Sequence, residues 1–342
     1  TIGGLFMLGF GVGCCAFSAP RYYGPRSDHF DGERFRNVGD ADPRGWTAFW
    51  KWMLHRQRGP WRPWTDSPPG PPPPRRVDEG AIRVTFVNHA TMLIQLDGVN
   101  VLTDPMWSDR ASPVAFAGPR RVRPPGIRFE DLPPIDAVLV SHNHYDHLDV
   151  PTLRKLESAF RAPVFAALGN GSFLVDKGIA RVRELDWWQA VDLPNGVRLW
   201  AVPVQHFSGR GVCDRNGTLW TGYVLQGKGG PVLFAGDTGF GPHFQSMRAR
   251  FGPVALALLP IGAFRPEWFM GPVHMSPDEA VNAHRVLEAR QSVAMHFGTF
   301  NLTDDGQDEP VEKLRAALER EHIPASAFRV LGFGEGLNVP RG

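Results

Sequence analysis

From Ala81 onward apolar and polar positions alternate along the chain, and before that point no period is sustained. Ile82, Val84 and Phe86 fall on one face of an extended segment. Met92 to Leu96 then meets Asp97-Gly98 and a second run, Val99 to Leu102. Two such runs joined by Asp-Gly predict a β-hairpin. Ala137 to Val140, bounded upstream by Pro133-Pro134, predicts a short buried strand, and Val150 to Leu156, with Pro151 in its first turn, predicts a helix. Short strands are expected at 163–166, 182–185 and 232–235, longer ones at 197–204, 219–226 and 254–259, and a last one at 293–295. A helix is expected from Ser276, with serine as its cap, proline at its first position and acids in its first turn. Trp107 to Arg128 has no period, and a long structureless loop inside a compact domain is more often functional than not.

Seven side chains stand where these apolar runs end. His142, His144, Asp146 and His147 follow Ala137 to Val140. His206 follows Val202-Pro203-Val204-Gln205, Asp237 follows Leu233-Phe234-Ala235-Gly236, and His296 follows Val293-Ala294-Met295. In extended backbone His142 and His144 point to one side, and a turn brings Asp146 and His147 in from another. Imidazole and carboxylate together are the ligand types of zinc and similar divalent ions. A lone histidine in such a turn is ordinarily a solvated side chain; this spacing, repeated at the ends of other strands, argues for metal. The expected assignment gives His142, His144 and His206 to one ion and Asp146, His147 and His296 to a second, with Asp237 between them. Two ions roughly 3.5–4 Å apart lower the pKa of a water and clamp both oxygens of a displacement, which is hydrolytic chemistry. Gly236 and Gly239 suit the tight turn this requires. On the residues alone His29, His55, His89, His243, His274, His284 and His322 are expected to be structural or solvated, His89 as a satisfied core residue.

The chain has 342 residues, 42% of them hydrophobic and 21% charged, with a formal net charge of +2. That is globular composition with material for a large core, and the charge implies no bulk affinity for polyanions. A nucleic-acid partner is not expected. Bases outnumber acids from Arg21 to Arg76, and acids outnumber bases from Asp304 to His322. Cys14, Cys15 and Cys213 indicate no disulfide framework. Three regions are expected. Residues 1–20, uncharged and glycine-diluted, read as a signal or anchor segment with Cys14 or Cys15 as a candidate lipidation site, which would place the protein at a membrane or cell envelope, the alternative being a plain N-terminal extension. Residues 21–80 form a Trp- and Pro-rich arm, with Trp46, Trp50, Trp52, Trp61 and Trp64, a short helix candidate from Trp46 to Arg56, and a polyproline II run at 67–74. The arm packs its rings across the main domain or dips them into a lipid interface. Residues 81–342 form the catalytic domain.

His142-Asn143-His144-Tyr145-Asp146-His147 with the later His206, Asp237 and His296 resembles the metallo-β-lactamase superfamily. Phe86 to Thr91, Leu102 to Ser108, Ala115 to Pro119, Arg123 to Ile127, Ser141 to Asp149, Pro260 to Ala263 and His296 to Phe300 resemble, within it, N-acylphosphatidylethanolamine-hydrolysing phospholipase D and its bacterial relatives. The resemblance runs from about Trp46 to Gly334. It implies an αββα sandwich, four layers with an N-terminal extension, and two zinc ions on His142, His144, Asp146, His147, His206, Asp237 and His296. It also implies a histidine near the phosphate at His274 and a role for Tyr145. Asp146, Asp237 and His274 are the expected catalytic residues, and Tyr145, Arg120 and Arg121 the expected substrate contacts, the arginines attracting an anionic surface.

The activity expected is phospholipase D-type hydrolysis of an N-acylated glycerophospholipid at a membrane, giving N-acylethanolamine and phosphatidic acid. The alternatives are the same site acting on a soluble phosphoester, lactone or β-lactam, since fold alone permits any of these, and a metal-binding envelope protein without catalysis.

Overall fold

The computed structural model describes residues 17–39 and 45–340. The expectations for residues 1–16, including Cys14 and Cys15, lie outside them. The arm contributes one helix, α1 (Trp46–Leu54). The main domain then runs β1 (Ile82–Asn88), β2 (Thr91–Leu96), β3 (Val99–Thr103), β4 (Ala137–Val140), α2 (Val150–Phe160), β5 (Val164–Ala167), α3 (Gly171–Asp176) and β6 (Val182–Leu185). It continues through β7 (Ala190–Asp192), β8 (Arg198–Val202), β9 (Gly222–Gly227), β10 (Gly230–Phe234), α4 (His243–Phe251), β11 (Leu256–Pro260), α5 (Glu267–Met270), α6 (Pro277–Val286), β12 (Gln291–Met295), α7 (Glu309–Arg320), β13 (Phe328–Arg329) and β14 (Gly336–Val339).

The strands form two mixed sheets, ordered β14-β1-β2-β3-β4-β5-β6 and β13-β12-β11-β10-β9-β8-β7. In each, hairpin-linked strands pair antiparallel on one side and crossover-linked strands pair parallel on the other. The sheets bury their inner faces against each other: Val84, Phe86, Ile94 and Leu139 share a core with Leu199, Leu225, Phe234 and Leu258. Tyr223 crosses the interface, its hydroxyl donating to the carbonyls of Val140 at 2.9 Å and Phe165 at 3.2 Å. The outer face of the first sheet packs on α2 and α3 through Leu153, Leu156, Phe173 and Leu174. Phe244, Met247, Ala280, Val281, Leu314 and Leu318, from α4, α6 and α7, join the main core on the side of the second sheet. This is the αββα sandwich the resemblance implied.

The parallel strands β4, β10, β11 and β12 end on one edge of the sandwich, and β8, antiparallel to β9 as β10 is, ends there too. The edge strands β13 and β14 are too short to show as a period; pairing with β12 and β1 makes them. The capping box expected at Ser276 is present, with Glu279 N donating to Ser276 Oγ at 3.3 Å and Ser276 N donating to Glu279 Oε2 at 2.9 Å.

The arm lies across the main domain. Trp52 stacks on Phe269 with ring centroids 5.1 Å apart, and its Nε1 donates to Asp304 Oδ2 at 3.0 Å. Arg56 Nε donates to Asp304 Oδ1 at 2.7 Å, and Trp61 Nε1 to the Asp305 carbonyl at 2.8 Å. Here the basic arm meets the acidic stretch after residue 303. The proline run follows the first sheet, with Pro74 O accepting from Gln95 Nε2 at 2.8 Å. Cys213 is disulfide-bonded, a single bridge that the sparse cysteine count did not lead one to expect. Among the described residues no helix is long and apolar enough to cross a membrane.

Candidate metal centre

Each of the seven side chains arrives on a strand end. Directly after β3, Asp104 turns through a left-handed backbone (φ 33°) and buries its carboxylate. Its Oδ1 accepts from Ser141 N at 2.7 Å, while its Oδ2 accepts from Ser141 Oγ at 2.6 Å and faces His147 Nδ1 at 2.6 Å. Because Ser141 Oγ spends its hydrogen on Asp104, it is the acceptor towards His142 Nδ1 at 2.9 Å. His142 therefore carries its hydrogen on Nδ1 and a lone pair on Nε2. His206 is arranged alike, its Nδ1 facing the Val273 carbonyl at 3.0 Å. The Nε2 atoms of His142 and His206 both point at His144 Nδ1, at 2.7 and 3.2 Å.

At most one hydrogen can lie among those three nitrogens, so lone pairs face one another, an arrangement a cation resolves. Beside them Asp237 Oδ2 lies 3.1 Å from His147 Nε2, 3.1 Å from His296 Nε2, 3.8 Å from His206 Nε2 and 3.9 Å from His274 Nδ1. Asp146 Oδ2 lies 3.3 Å from His147 Nε2 and 3.5 Å from His296 Nε2. His147 Nε2, both ring nitrogens of His296 and Asp237 Oδ1 are buried without a hydrogen-bond partner. Buried polar atoms are nearly always satisfied, so orphans grouped in this way mark a bound group. His142, His144 and His206 form one set whose donor atoms lie within 4.8 Å of one another; Asp146, His147 and His296, with His89, form another; and Asp237 belongs to groups touching both. The residues fit two divalent ions that share Asp237.

Electrostatics divides the sets. Burial holds His142 and His206 well below the ordinary imidazole range and His144 down at about 4, so they are neutral, as ligands must be. Burial opposes charge on Asp146 and Asp237, but His147 and His296 hold both carboxyls well below their usual range. In return, and against burial, Asp237 and Asp146 hold His147 well above its ordinary value and His296 at about 9. The carboxylates call for positive charge, and protons on these two imidazoles compete with metal for it.

The glycines behave as expected. Gly236 has φ 60° and its hydrogen faces Ser141, where a Cβ would come within 2.9 Å of Ser141 Cβ; a Cβ on Gly239 would come within 2.6 Å of Pro272 O.

Tyr145 sits at the wall of a cavity of about 840 Å³, lined also by Asp109, Arg110, Phe173, Lys177 and Arg210. Arg210 spans the histidine loop from behind: its Nη1 donates to the carbonyls of Asn143 at 2.9 Å and Leu148 at 3.1 Å, and its Cζ lies 3.9 Å from the Tyr145 ring centroid. Of the two arginines expected to meet substrate, Arg120 is exposed and outside the cavity lining. Arg121 is not a surface group at all. It is 3% exposed, and its Nε and Nη2 donate at 2.9 Å to the carbonyls of Ser108 and Met106. It braces the 107–128 loop from inside, because a long loop must satisfy its own backbone carbonyls.

Sequence reasoning missed four supports. Asp104 carried a signal, since an acid directly after an apolar strand obeys the rule that found the ligands. Arg210 carried none. Nor did Asn37, whose Nδ2 donates to the His206 carbonyl at 2.9 Å while its Oδ1 accepts from His206 N at 3.0 Å. His89 is buried as expected, with burial and then His296 lowering its pKa to about 3, yet its ring lies against Asp146 rather than in the apolar core. His29 and His284 are structural, the first stacked on Trp187 and the second 2.8 Å from Ser292 Oγ.

Comparison with known proteins follows the same lines. The family model described as a beta-lactamase superfamily domain matches residues 99–297. The chain is 39% identical over 269 residues to an N-acyl-phosphatidylethanolamine-hydrolyzing phospholipase D of Caenorhabditis elegans, covering 75% of this chain and 76% of the relative. It is 41% identical over 277 residues to an uncharacterized protein of Mycobacterium tuberculosis, covering 80% and 73%. Among solved structures, a metallo hydrolase of Ignicoccus hospitalis superposes with a TM-score of 0.57 at 23% identity, covering 75% of this chain and 98% of that one. A possible metal-dependent hydrolase of Veillonella parvula superposes at 0.61 and 18% identity, covering 75% and 99%. These structures share the fold.

Proposed function

Since this chain belongs to the beta-lactamase superfamily, among the metal-dependent hydrolases related to N-acylphosphatidylethanolamine-hydrolysing phospholipase D, we propose that it is a dinuclear zinc phosphodiesterase releasing N-acylethanolamine and phosphatidic acid from N-acylphosphatidylethanolamine-type phospholipids. The observation that carries the reading is the meeting of two donor sets on one carboxylate, Asp237. His142, His144 and His206 would hold one ion and Asp146, His147 and His296 the other, with Asp237 within reach of both. When bound, the ions lower the pKa of a water and neutralise charge developing on phosphoryl oxygens.

The chain's own residues do the rest. Water adds to phosphorus, the bond from phosphorus to the ethanolamine oxygen breaks, and that oxygen leaves with a proton. His274, buried beside Asp237 and His206, is the donor placed for a phosphoryl oxygen or for the departing alcohol. Tyr145 and the cavity beside it receive the organic part of the substrate. Arg210, fixed to the loop carbonyls on both sides of Tyr145, holds that wall in place.

A lipid substrate agrees with the surface. Trp50 and Leu54 on α1 and Trp268 on α5 are exposed, with Lys51 Nζ 4.9 Å from the Trp268 ring centroid, a combination that suits the interface of an anionic bilayer. The uncharged residues 1–20 support a cell-envelope location.

The test is zinc-loaded protein assayed on vesicles containing N-acylphosphatidylethanolamine, and in parallel on a soluble phosphodiester, a lactone and a β-lactam. Release of N-acylethanolamine and phosphatidic acid is the expected result. Turnover of a soluble substrate alone, without sedimentation with vesicles, would establish the second reading, a hydrolase of soluble esters or lactams.

A further inference from the structure

The connection between β1 and β2 is two residues long, His89-Ala90, and the pairing register shifts just before it, between Phe86 and Asn88. His89 takes φ 46° there, in the left-handed region that a bulky side chain disfavours and that asparagine or glycine would occupy with less strain. A strained, buried histidine in a two-residue turn has a reason for being there.

Three contacts supply it. The His89 carbonyl accepts from His296 N at 2.7 Å, and His89 N donates to Thr299 Oγ1 at 3.2 Å. Its Nε2 donates to Asp146 Oδ2 at 2.9 Å. The ring is 1% exposed, lies with its centroid 4.0 Å from that of His296, and meets Phe300 edge-on at 5.3 Å. His296 itself has φ 62°, so two histidines in the left-handed region face each other and are tied through a backbone hydrogen bond. Through its ring His89 holds the Asp146 side chain, and through its carbonyl it holds the backbone of His296.

We propose that His89 is the positioning residue of the half-site formed by Asp146, His147 and His296, an inference that rests on the dinuclear reading above. Its Nε2–H engages Asp146 Oδ2 and so orients the carboxylate, and its carbonyl sets the strand end from which His296 points. It is not itself a ligand through Nε2, because that atom carries the hydrogen given to Asp146. The set His142, His144 and His206 has no contact with it, so its loss affects one ion and not the other. Buried partners that orient metal ligands change affinity about 10–100-fold when removed.

The experiment is zinc and cobalt titration of the full chain against a competing chelator, with metal content measured directly, for the wild type, His89→Gly and His89→Gln. Glycine removes the ring while relieving the strain of the turn; glutamine restores an N–H donor near the Nε2 position. The wild type is expected to take up two ions. His89→Gly should keep one at unchanged affinity, bind the second about 10–100-fold more weakly, and change the cobalt absorption of that second step alone. His89→Gln should recover part of the loss. Unchanged affinity for both ions in His89→Gly, or equal loss of both with no recovery in His89→Gln, overturns the inference. No substrate enters this measurement, so two ions bound without lipid hydrolysis would fail the proposed activity and leave the role of His89 standing, whereas a wild type that takes up a single ion overturns both.

Discussion

The Asp104 carboxylate and the His147 imidazole, 43 positions apart in the chain, meet at 2.6 Å in a fully buried contact. Asp104 thereby places the hydrogen of His147 on Nδ1 and turns Nε2 towards Asp237. Through Ser141 Oγ the same carboxylate also sets the ring of His142, so one buried aspartate orients a candidate ligand in each set. Replacing it with asparagine puts an amide N–H where Ser141 and His147 both need an acceptor. Asp104→Asn is expected to keep the fold and to weaken zinc about 10–100-fold, read by chelator competition. Wild-type affinity in that variant would remove Asp104 from the site.

Metal removal has a direct readout. Dialysis against a chelator is expected to abolish hydrolysis, with recovery on adding zinc, and to lower the melting temperature, because a ligand bound only by the folded state stabilises it. Asp237→Asn should retain the circular dichroism of the wild type, hold less than two ions and lose activity. Surviving activity would show that Asp237 is not shared between the ions.

The arm extends into the centre through Asn37, which brackets the His206 backbone with both ends of its amide. Asn37→Asp replaces the donor to the His206 carbonyl with an acceptor. About tenfold weaker metal retention is expected, with little change in melting temperature. A variant that melts early but titrates metal normally would make this contact structural only.

Arg121→Leu separates bracing from binding. It takes the guanidinium from the carbonyls of Ser108 and of Met106, which keeps Asn88 Nδ2 as a donor at 3.1 Å, at a cost of about 1–3 kcal/mol. The urea midpoint is expected to fall accordingly while KM of the folded fraction stays the same. A raised KM at unchanged stability would restore the substrate role expected for this residue.

Acid sensitivity has an identifiable source in a buried histidine that is not itself a candidate ligand. Burial lowers His243 to about 3 from an unfolded value of 6.5. Between those values the unfolded chain binds a proton that the folded chain refuses. The stability this group contributes is therefore complete above pH 6.5 and lost as pH falls towards 3, at about 1.4 kcal/mol per pH unit. Urea midpoints measured between pH 7 and 4 should fall less steeply for His243→Gln than for the wild type; parallel curves would place the sensitivity elsewhere.

What the sequence determined by itself is local. Alternation marks Ile82 to Phe86 as a strand and Met92 to Leu102 as a hairpin, apolar runs mark β4, β10, β11 and β12, and a histidine or aspartate at the end of such a run is visible without knowing what faces it. All seven candidate ligands follow from that rule, since a strand end is set by its own neighbours. Only the tertiary structure decided what each meets. That β8 and β10 end on the same edge depends on β9 lying between them, and the 2.6 Å contact of Asp104 with His147, the hold of Asn37 on His206 and that of His89 on Asp146 join segments far apart in the chain. Arg121 makes the same point from the other side: in the sequence it is one of several arginines in a basic loop, and in the fold it lies inside that loop bound to carbonyls. Side-chain period encodes which face is buried; it does not encode which backbone or carboxylate a long polar side chain will reach, because that is set by the path of the whole chain.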